Sequence, residues 1–322
     1  AQSLRDNLRA WGRAIPRDAV VLSLLKGLER GSHARMSEVV VDELGVPAAQ
    51  VAVLSGPNLA REVVQRQPVR IARPLDFTVV TDHSDNMGFF GEFAAGNPNI
   101  LANAEAKGWY DLMQSGKGAE AAIQIITAFS NGTFPIDIMS QPGTKLYRDT
   151  WKDIIAAAEE ANEPGRFSAI IGYEWTSQVG TGDNLHRNVI YRDGGDLAVQ
   201  MDPMVTLPPH GSQNPVDLWK WMGAYEQQTG GHVLAIAHNG NLSNGLMFPT
   251  IEQFGKPVDA DYVTERAKWE RLYEVTQTKG TGETHPNLSP NDEFADFEIW
   301  DKGNLTMTAA KQPEMLQHEY AR

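Results

Sequence analysis

Short apolar runs alternate with amphipathic stretches along this chain, and several of the runs stop at polar residues. Residues 2–13 read as a short helix and residues 20–24 as a compact strand. SHARMSEVVVDELG (32–45) reads as a helix with Ser32 as its N-cap and Gly45 just past its end. VAVLSGPNLAREVV (51–64) is a second strand, a Gly-Pro turn and a further helix. Strand, helix, strand, helix is the order of a parallel α/β sheet. A proline-bearing joint, QRQPVRIARP (65–74), follows, then a strand over 76–81 and a largely helical stretch over 98–130. In DTWKDIIAAAEEANEPG (149–165), Trp151, Ile154, Ile155 and Ala158 share one helical face, and Pro164-Gly165 ends it. FSAIIGYEWTS carries a buried strand over 167–173, and HRNVIYRD is another. A helix capped by Asn214, with Pro215 in its first turn, precedes the strand in HVLAIAHNG. A helix over 259–271 and a strand ending at Glu274 complete the pattern.

Four of the apolar runs end in residues of catalytic type: Asp82-His83, Glu174, His238 and Glu274. In a barrel of parallel strands, ligands collect at the C-terminal strand ends. One such histidine is commonly a hydrogen-bonded structural residue, but carboxylates and imidazoles at successive strand ends are what a metal site requires. The competing structural roles are an ion pair from Glu174 to Arg187 or Arg192, a buried His83 bonded to Asp82, and a strand-end His238 bonded to backbone. His33, His210, His232 and His318 read as surface or turn histidines, and Lys26 as a turn lysine.

Composition narrows the chemistry. The chain has 322 residues, 41% of them hydrophobic, and no cysteine. That excludes disulfides, thiol nucleophiles and thiolate metal sites, so a metal here would be held by His, Asp and Glu. No apolar run is long enough to span a bilayer. The first twenty residues carry four arginines and no apolar core of a secretion signal, so the expectation is a cytoplasmic protein with no membrane partner. Residues 1–72 hold ten Lys/Arg against seven Asp/Glu, and residues 73–322 hold 18 against 34. The acidic larger part speaks against a nucleic-acid partner.

RPLDFTVVTDHSDNMGFF, IIGYEWTSQVGTGDNLHRNVIYRD, LAIAHNGNLSNGLMFP and RLYEVTQTKGTGETHPNLSPNDEFADFEIWD occur in an order that resembles the DUF3604 family, within the PHP (polymerase and histidinol phosphatase) superfamily of metal-dependent phosphoesterases. The resemblance implies a distorted (β/α)7 barrel with divalent metals at its strand ends. Laid on this chain, it implies His83, Glu174, His186 and His238 as metal ligands, with Asp82 a neighbouring acid and Glu274 a further candidate catalytic group. Glu283 and His285 would lie farther from the chemistry. The superfamily opens with His-x-His and closes with Asp-x-His, and neither pair stands where it should in this sequence. The expectation is an incomplete barrel holding fewer ions of Zn, Mn or Fe than the full site. Residues 18–68, through SLLKG and VLSGPNLAREV, resemble NAD-dependent glycerol-3-phosphate dehydrogenase, although its Gly-x-Gly nucleotide loop is missing.

The expected fold is therefore α/β throughout. A small βαβα Rossmann-type piece (1–68) is followed by a PHP-like hydrolase domain (69–322). The expected function is metal-dependent hydrolysis of a small anionic substrate, a phosphoester by class. The alternatives are a dehydrogenase fragment and a non-catalytic remnant that forms homo-oligomers through uncovered strand edges.

Overall fold

The computed structural model describes residues 4–12, 15, 21–23, 32, 34, 36–53 and 76–304, apart from 181, 278 and 283. The chain divides into two compact units, one of residues 1–76 with 274–279 and one of 77–273 with 280–322. The helix expected after residue 56, Lys26, His33, Glu283 and His318 lie outside the described residues.

In the smaller unit, α1 (Leu4–Trp11) precedes β1 (Val21–Ser23), α2 (Met36–Leu44) and β2 (Val51–Val53). β1 and β2 pair in parallel, with Val21 opposite Val51, so the helix between them is a crossover. Ion pairs hold α1 to α2: Arg5 to Asp42 and Glu43, and Arg9 to Glu43. Gly45, at φ +63°, ends α2 and donates its N–H to the Val41 carbonyl. Ser32 stands four residues ahead of Met36, the first helical residue. Its hydroxyl accepts from the Ala34 N–H at 3.1 Å, a local turn ahead of the first helical residue.

The larger unit is built on β3 (Phe77–Val79), β4 (Asp82–His83), β5 (Ser168–Ile170), β6 (Gly172–Trp175), a small hairpin of β7 (Gln178–Val179) and β8 (Asp183–Asn184), β9 (Arg187–Tyr191), β10 (Val233–Ala237) and β13 (Leu272–Tyr273). A second hairpin, β11 (Glu252–Gln253) with β12 (Lys256–Pro257), lies between β10 and β13. The main sheet has the order β13-β10-β9-β6-β4. It is mixed: β9 runs antiparallel to both β6 and β10, while β4 with β6 and β10 with β13 are parallel. The all-parallel reading fails at β9 because β6 reaches it through a hairpin and not a helical crossover, which forces the strand to reverse. No described sheet closes on itself.

The sheet's two faces differ. Tyr173 and Trp175 of β6, Val189 and Tyr191 of β9, and Val233 and Ala235 of β10 are buried, while the residues between them on β9 and β10 are half-exposed. Successive side chains on a strand point to opposite faces, so one face is core and the other is open. The core face is covered by three helices: α7 (Lys145–Ala161), α9 (Pro215–Thr229) and α10 (Ala260–Trp269). Tyr147, Trp151 and Ile155 of α7 meet Leu218, Trp219 and Met222 of α9 and Trp269 of α10 in one cluster. Thr144 caps α7, and Asn214 caps α9 through the Val216 N–H. The short α8 (Gly195–Ala198) packs beside α7, where Trp151 Nε1 donates to the Ala198 carbonyl at 3.1 Å.

Between β4 and α7 the chain makes a helical insertion: α3 (Phe89–Ala94), α4 (Pro98–Leu101), α5 (Ala104–Gln114) and α6 (Gly118–Ser130). It has its own aromatic core, in which Phe134 stacks on Phe129 at 4.2 Å and on Trp109 at 5.5 Å.

Candidate metal centre

The register of the main sheet brings distant residues into rows. His83 on β4 lies opposite Glu174 on β6, and Glu174 opposite Asn188 on β9. One row nearer the mouth, the His238 N–H donates to the His186 carbonyl at 3.3 Å, continuing the β9–β10 ladder. Glu174, His186 and His238 therefore emerge on the same open face.

Their side chains converge. Glu174 Oε1 lies 2.9 Å from His186 Nδ1, 3.3 Å from His238 Nε2 and 3.7 Å from His83 Nδ1. Glu174, His186 and His238 each offer a ligand atom, all within 4.8 Å of one another. His83 stands at the rim: its side chain is 62% exposed, against 5% for His186 and 9% for His238. Its Nδ1 is 2.6 Å from Thr176 Oγ1, which fixes the ring and leaves Nε2 as its outward nitrogen.

Burial pushes the His186 imidazole down to about 4, more than the adjoining Glu174 raises it, so the ring is neutral at neutral pH. For Glu174, burial pulls upward, but His238, His186 and His83 outweigh it and hold the carboxyl well below its ordinary value. His186 Nε2 is buried without a hydrogen-bond partner among the described residues. One ionised carboxylate and a neutral imidazole with an uncommitted ring nitrogen are the donor chemistry of a divalent-cation site, so the residues present fit such a group.

The other candidates fall elsewhere. Asp82 is exposed and, next to His83 in the strand, points to the opposite face. Glu274 follows β13 and accepts from Gln277 Nε2 at 2.9 Å; it is not part of the converging group. His285 accepts from the Asn287 N–H in a local turn, His210 is exposed, and the His232 N–H donates to Asp193. The ion pair from Glu174 to Arg187 does not form. Arg187 lies on the core face, where its Nε donates to Glu270 Oε1 at 2.9 Å.

Sequence reasoning passed over Asp85. Its Oδ1 accepts from the Thr206 N–H at 2.9 Å, and burial raises its carboxyl to about 6 against that hydrogen bond. With Asn86, whose Oδ1 accepts from the Ser140 N–H at 2.8 Å, it stitches the turn after His83 to two distant loops. The run of polar residues in TDHSDNM was the available signal: a chain that leaves a strand into buried surroundings must bring hydrogen-bond partners with it.

An α/β unit whose strand ends direct a carboxylate and imidazoles at one point defines the class of protein. Residues 53–322 match the model of the family described as "Protein of unknown function (DUF3604)", and the chain belongs to that family. Residues 1–74 match the family of the NAD-dependent glycerol-3-phosphate dehydrogenase N-terminus. Over 68 residues the chain is 56% identical to glycerol-3-phosphate dehydrogenase (NAD(P)+) of Thermobifida fusca. It is 52% identical over 68 residues to that of Corynebacterium glutamicum and 54% to that of Mycobacterium leprae. Each alignment covers 21% of this chain and 20% of the relative, so the chain spans about a fifth of the length of these curated relatives. No solved structure matches the chain. Among the described residues, no helix is long and apolar enough to cross a membrane.

Proposed function

We propose that the larger unit is a PHP-type, cation-dependent hydrolase acting on small anionic esters, with phosphoesters the first class to test, and that its sheet is the remnant of that superfamily's barrel. The observation that carries this reading is the convergence of Glu174, His186 and His238 at the ends of three strands, with two of the donors buried. Glu174, His186 and His238 would hold the cation, Zn, Mn or Fe by donor type. A cation bound there supplies a water of lowered pKa and positive charge for an ester oxygen. The chain's own contribution is preparation. Burial keeps His186 deprotonated, so its ring needs to lose no proton to serve as a ligand. Thr176 aims the His83 ring from the rim, where an incoming ester would meet it first. His83, exposed at the rim, marks the side from which that approach is made, and Asp82, pointing to the opposite face, takes no part in it.

The test is cation content by elemental mass spectrometry on the full chain, then hydrolysis of p-nitrophenyl phosphate with Mn or Zn added. Bound cation and hydrolysis lost together in His186→Ala support the reading; a cation-free wild type that stays inert with added Mn or Zn overturns it. A dehydrogenase reading rests on the similarity of residues 1–74 alone. Titration with NADH tests it, and unchanged nicotinamide fluorescence removes it.

A further inference from the structure

Asn188 occupies a place in the sheet that the cluster of Glu174, His186 and His238 leaves unexplained. It lies directly opposite Glu174 on one side and Ile236 on the other. Directly opposite residues of an antiparallel pair are about 4.5–5.5 Å apart at Cα. His186 precedes it by two residues, so the two side chains share the open face, about 7 Å apart along the strand. One step deeper that face is aliphatic, with Ile190 and Leu234 in register. Asn188 is thus the last polar residue before an apolar floor, in the row that also holds Glu174 and His83.

Its Oδ1 is buried and has no hydrogen-bond partner among the described residues. A buried acceptor without a partner is costly unless something else satisfies it. Ile190, Leu234 and Ile236 offer no donor. The side-chain amide can turn either its oxygen or its nitrogen towards the cluster, and a cation selects the oxygen. Resting on the cation reading above, we propose that Asn188 is a further ligand of that cation, giving its amide oxygen beside Glu174, His186 and His238. The neutrality of this ligand matters. With Glu174 as the one carboxylate, a divalent ion keeps a net positive charge, which attracts an anionic substrate to a unit whose sequence is strongly acidic. A second carboxylate in the same row would cancel that charge.

The experiment uses the full chain with Co2+ as the probe, read by its visible absorption and by isothermal titration, on wild type, Asn188→Ala, Asn188→Asp and His186→Ala. Asn188→Ala is expected to weaken Co2+ binding at least tenfold and to change the absorption bands, with the cation-free protein melting no lower than wild type. Asn188→Asp is expected to bind Co2+ as tightly as wild type or tighter, while the loaded protein binds inorganic phosphate more weakly. If wild type binds Co2+, His186→Ala does not, and Asn188→Ala matches wild type in affinity and spectrum, the assignment of Asn188 is overturned while the cradle stands. If wild type binds no Co2+, both fall.

Discussion

Glu174 and Glu270 are both buried glutamates held below their ordinary pKa, and they differ in the company that holds them there. For Glu270, burial works upward, and Arg187 and Arg266 overcome it. Its Oε1 accepts from Arg187 Nε and from Trp219 Nε1, each at 2.9 Å, and its Oε2 from Arg266 Nε at 3.2 Å. That is a carboxylate held by permanent cations inside the core. Glu270→Gln leaves the Arg187 charge buried and uncompensated, and should cost about 3–5 kcal/mol in urea unfolding at pH 7. A lowered carboxyl pKa contributes stability that is full above the unfolded value near 4.5 and is lost as pH falls through the folded one. The gap between wild type and Glu270→Gln should therefore narrow below about pH 4; a gap constant down to pH 3 would contradict the assignment. The charged partners that hold Glu174 are imidazoles, which are themselves titratable. His186→Ala should lower Zn2+ affinity more than about a hundredfold, and rim-exposed His83→Ala by less, as competition with a chromophoric chelator would show. The sequence singles out Glu174 as a strand-end residue and gives no sign of the role of Glu270. Each has a tryptophan for a neighbour, Trp269 before Glu270 and Trp175 after Glu174, and the strand register decides which face Glu174 joins.

At the scale of the element, helices were legible and strand direction was not. The 3.6-residue spacing of Trp151, Ile155 and their neighbours placed α7 on the core correctly, and Asn214 with Pro215 marked the start of α9. The strand expected over 76–81 is β3 alone, with β4 just beyond it, and that over 167–173 is broken into β5 and β6; β3 with β5 and β4 with β6 keep one unshifted register. Gly172 shows how tightly that ladder is packed: a Cβ there would stand 2.7 Å from Val79 Cγ2 and 2.9 Å from the Val189 carbonyl oxygen. Gly172→Ala should destabilise the larger unit by about 1–3 kcal/mol in denaturant unfolding; an unchanged midpoint would mean that the neighbours yield freely. The reversal of β9 was hidden because GTGDNLH gives no periodicity. Its glycines at 180 and 182, at φ +58° and +117°, make the hairpin that turns the chain back. Strand-end polarity survives either strand direction, so it singled out Glu174 and His238, whereas His186, which precedes β9, was offered only by the family resemblance.

At the scale of the molecule, the change of charge near residue 72 falls close to the division between the units at residue 76. Glu174, His186 and His238 all belong to the larger unit. A ligand that binds only the folded state stabilises it by about 2.7 kcal/mol at a hundred times its Kd. Zn2+ or Mn2+ at that excess should raise the melting temperature of the larger unit by a few degrees in calorimetry, and His186→Ala should abolish the shift. An equal shift in the variant would place the cation elsewhere.

The alternation along β9 and β10 has one more consequence. Foundation and chemistry are carried by neighbouring letters of the same few words, RNVIY and VLAIA, with odd positions answering to folding and even positions to the site. Randomising 186, 188, 190, 234, 236 and 238 while holding the residues between them would search new chemistries on an unaltered scaffold. Deleting one residue from the hairpin before β9 would do the reverse: it would turn Arg187 and Val189 off the core face and carry His186 onto it, a single frame error erasing site and core together.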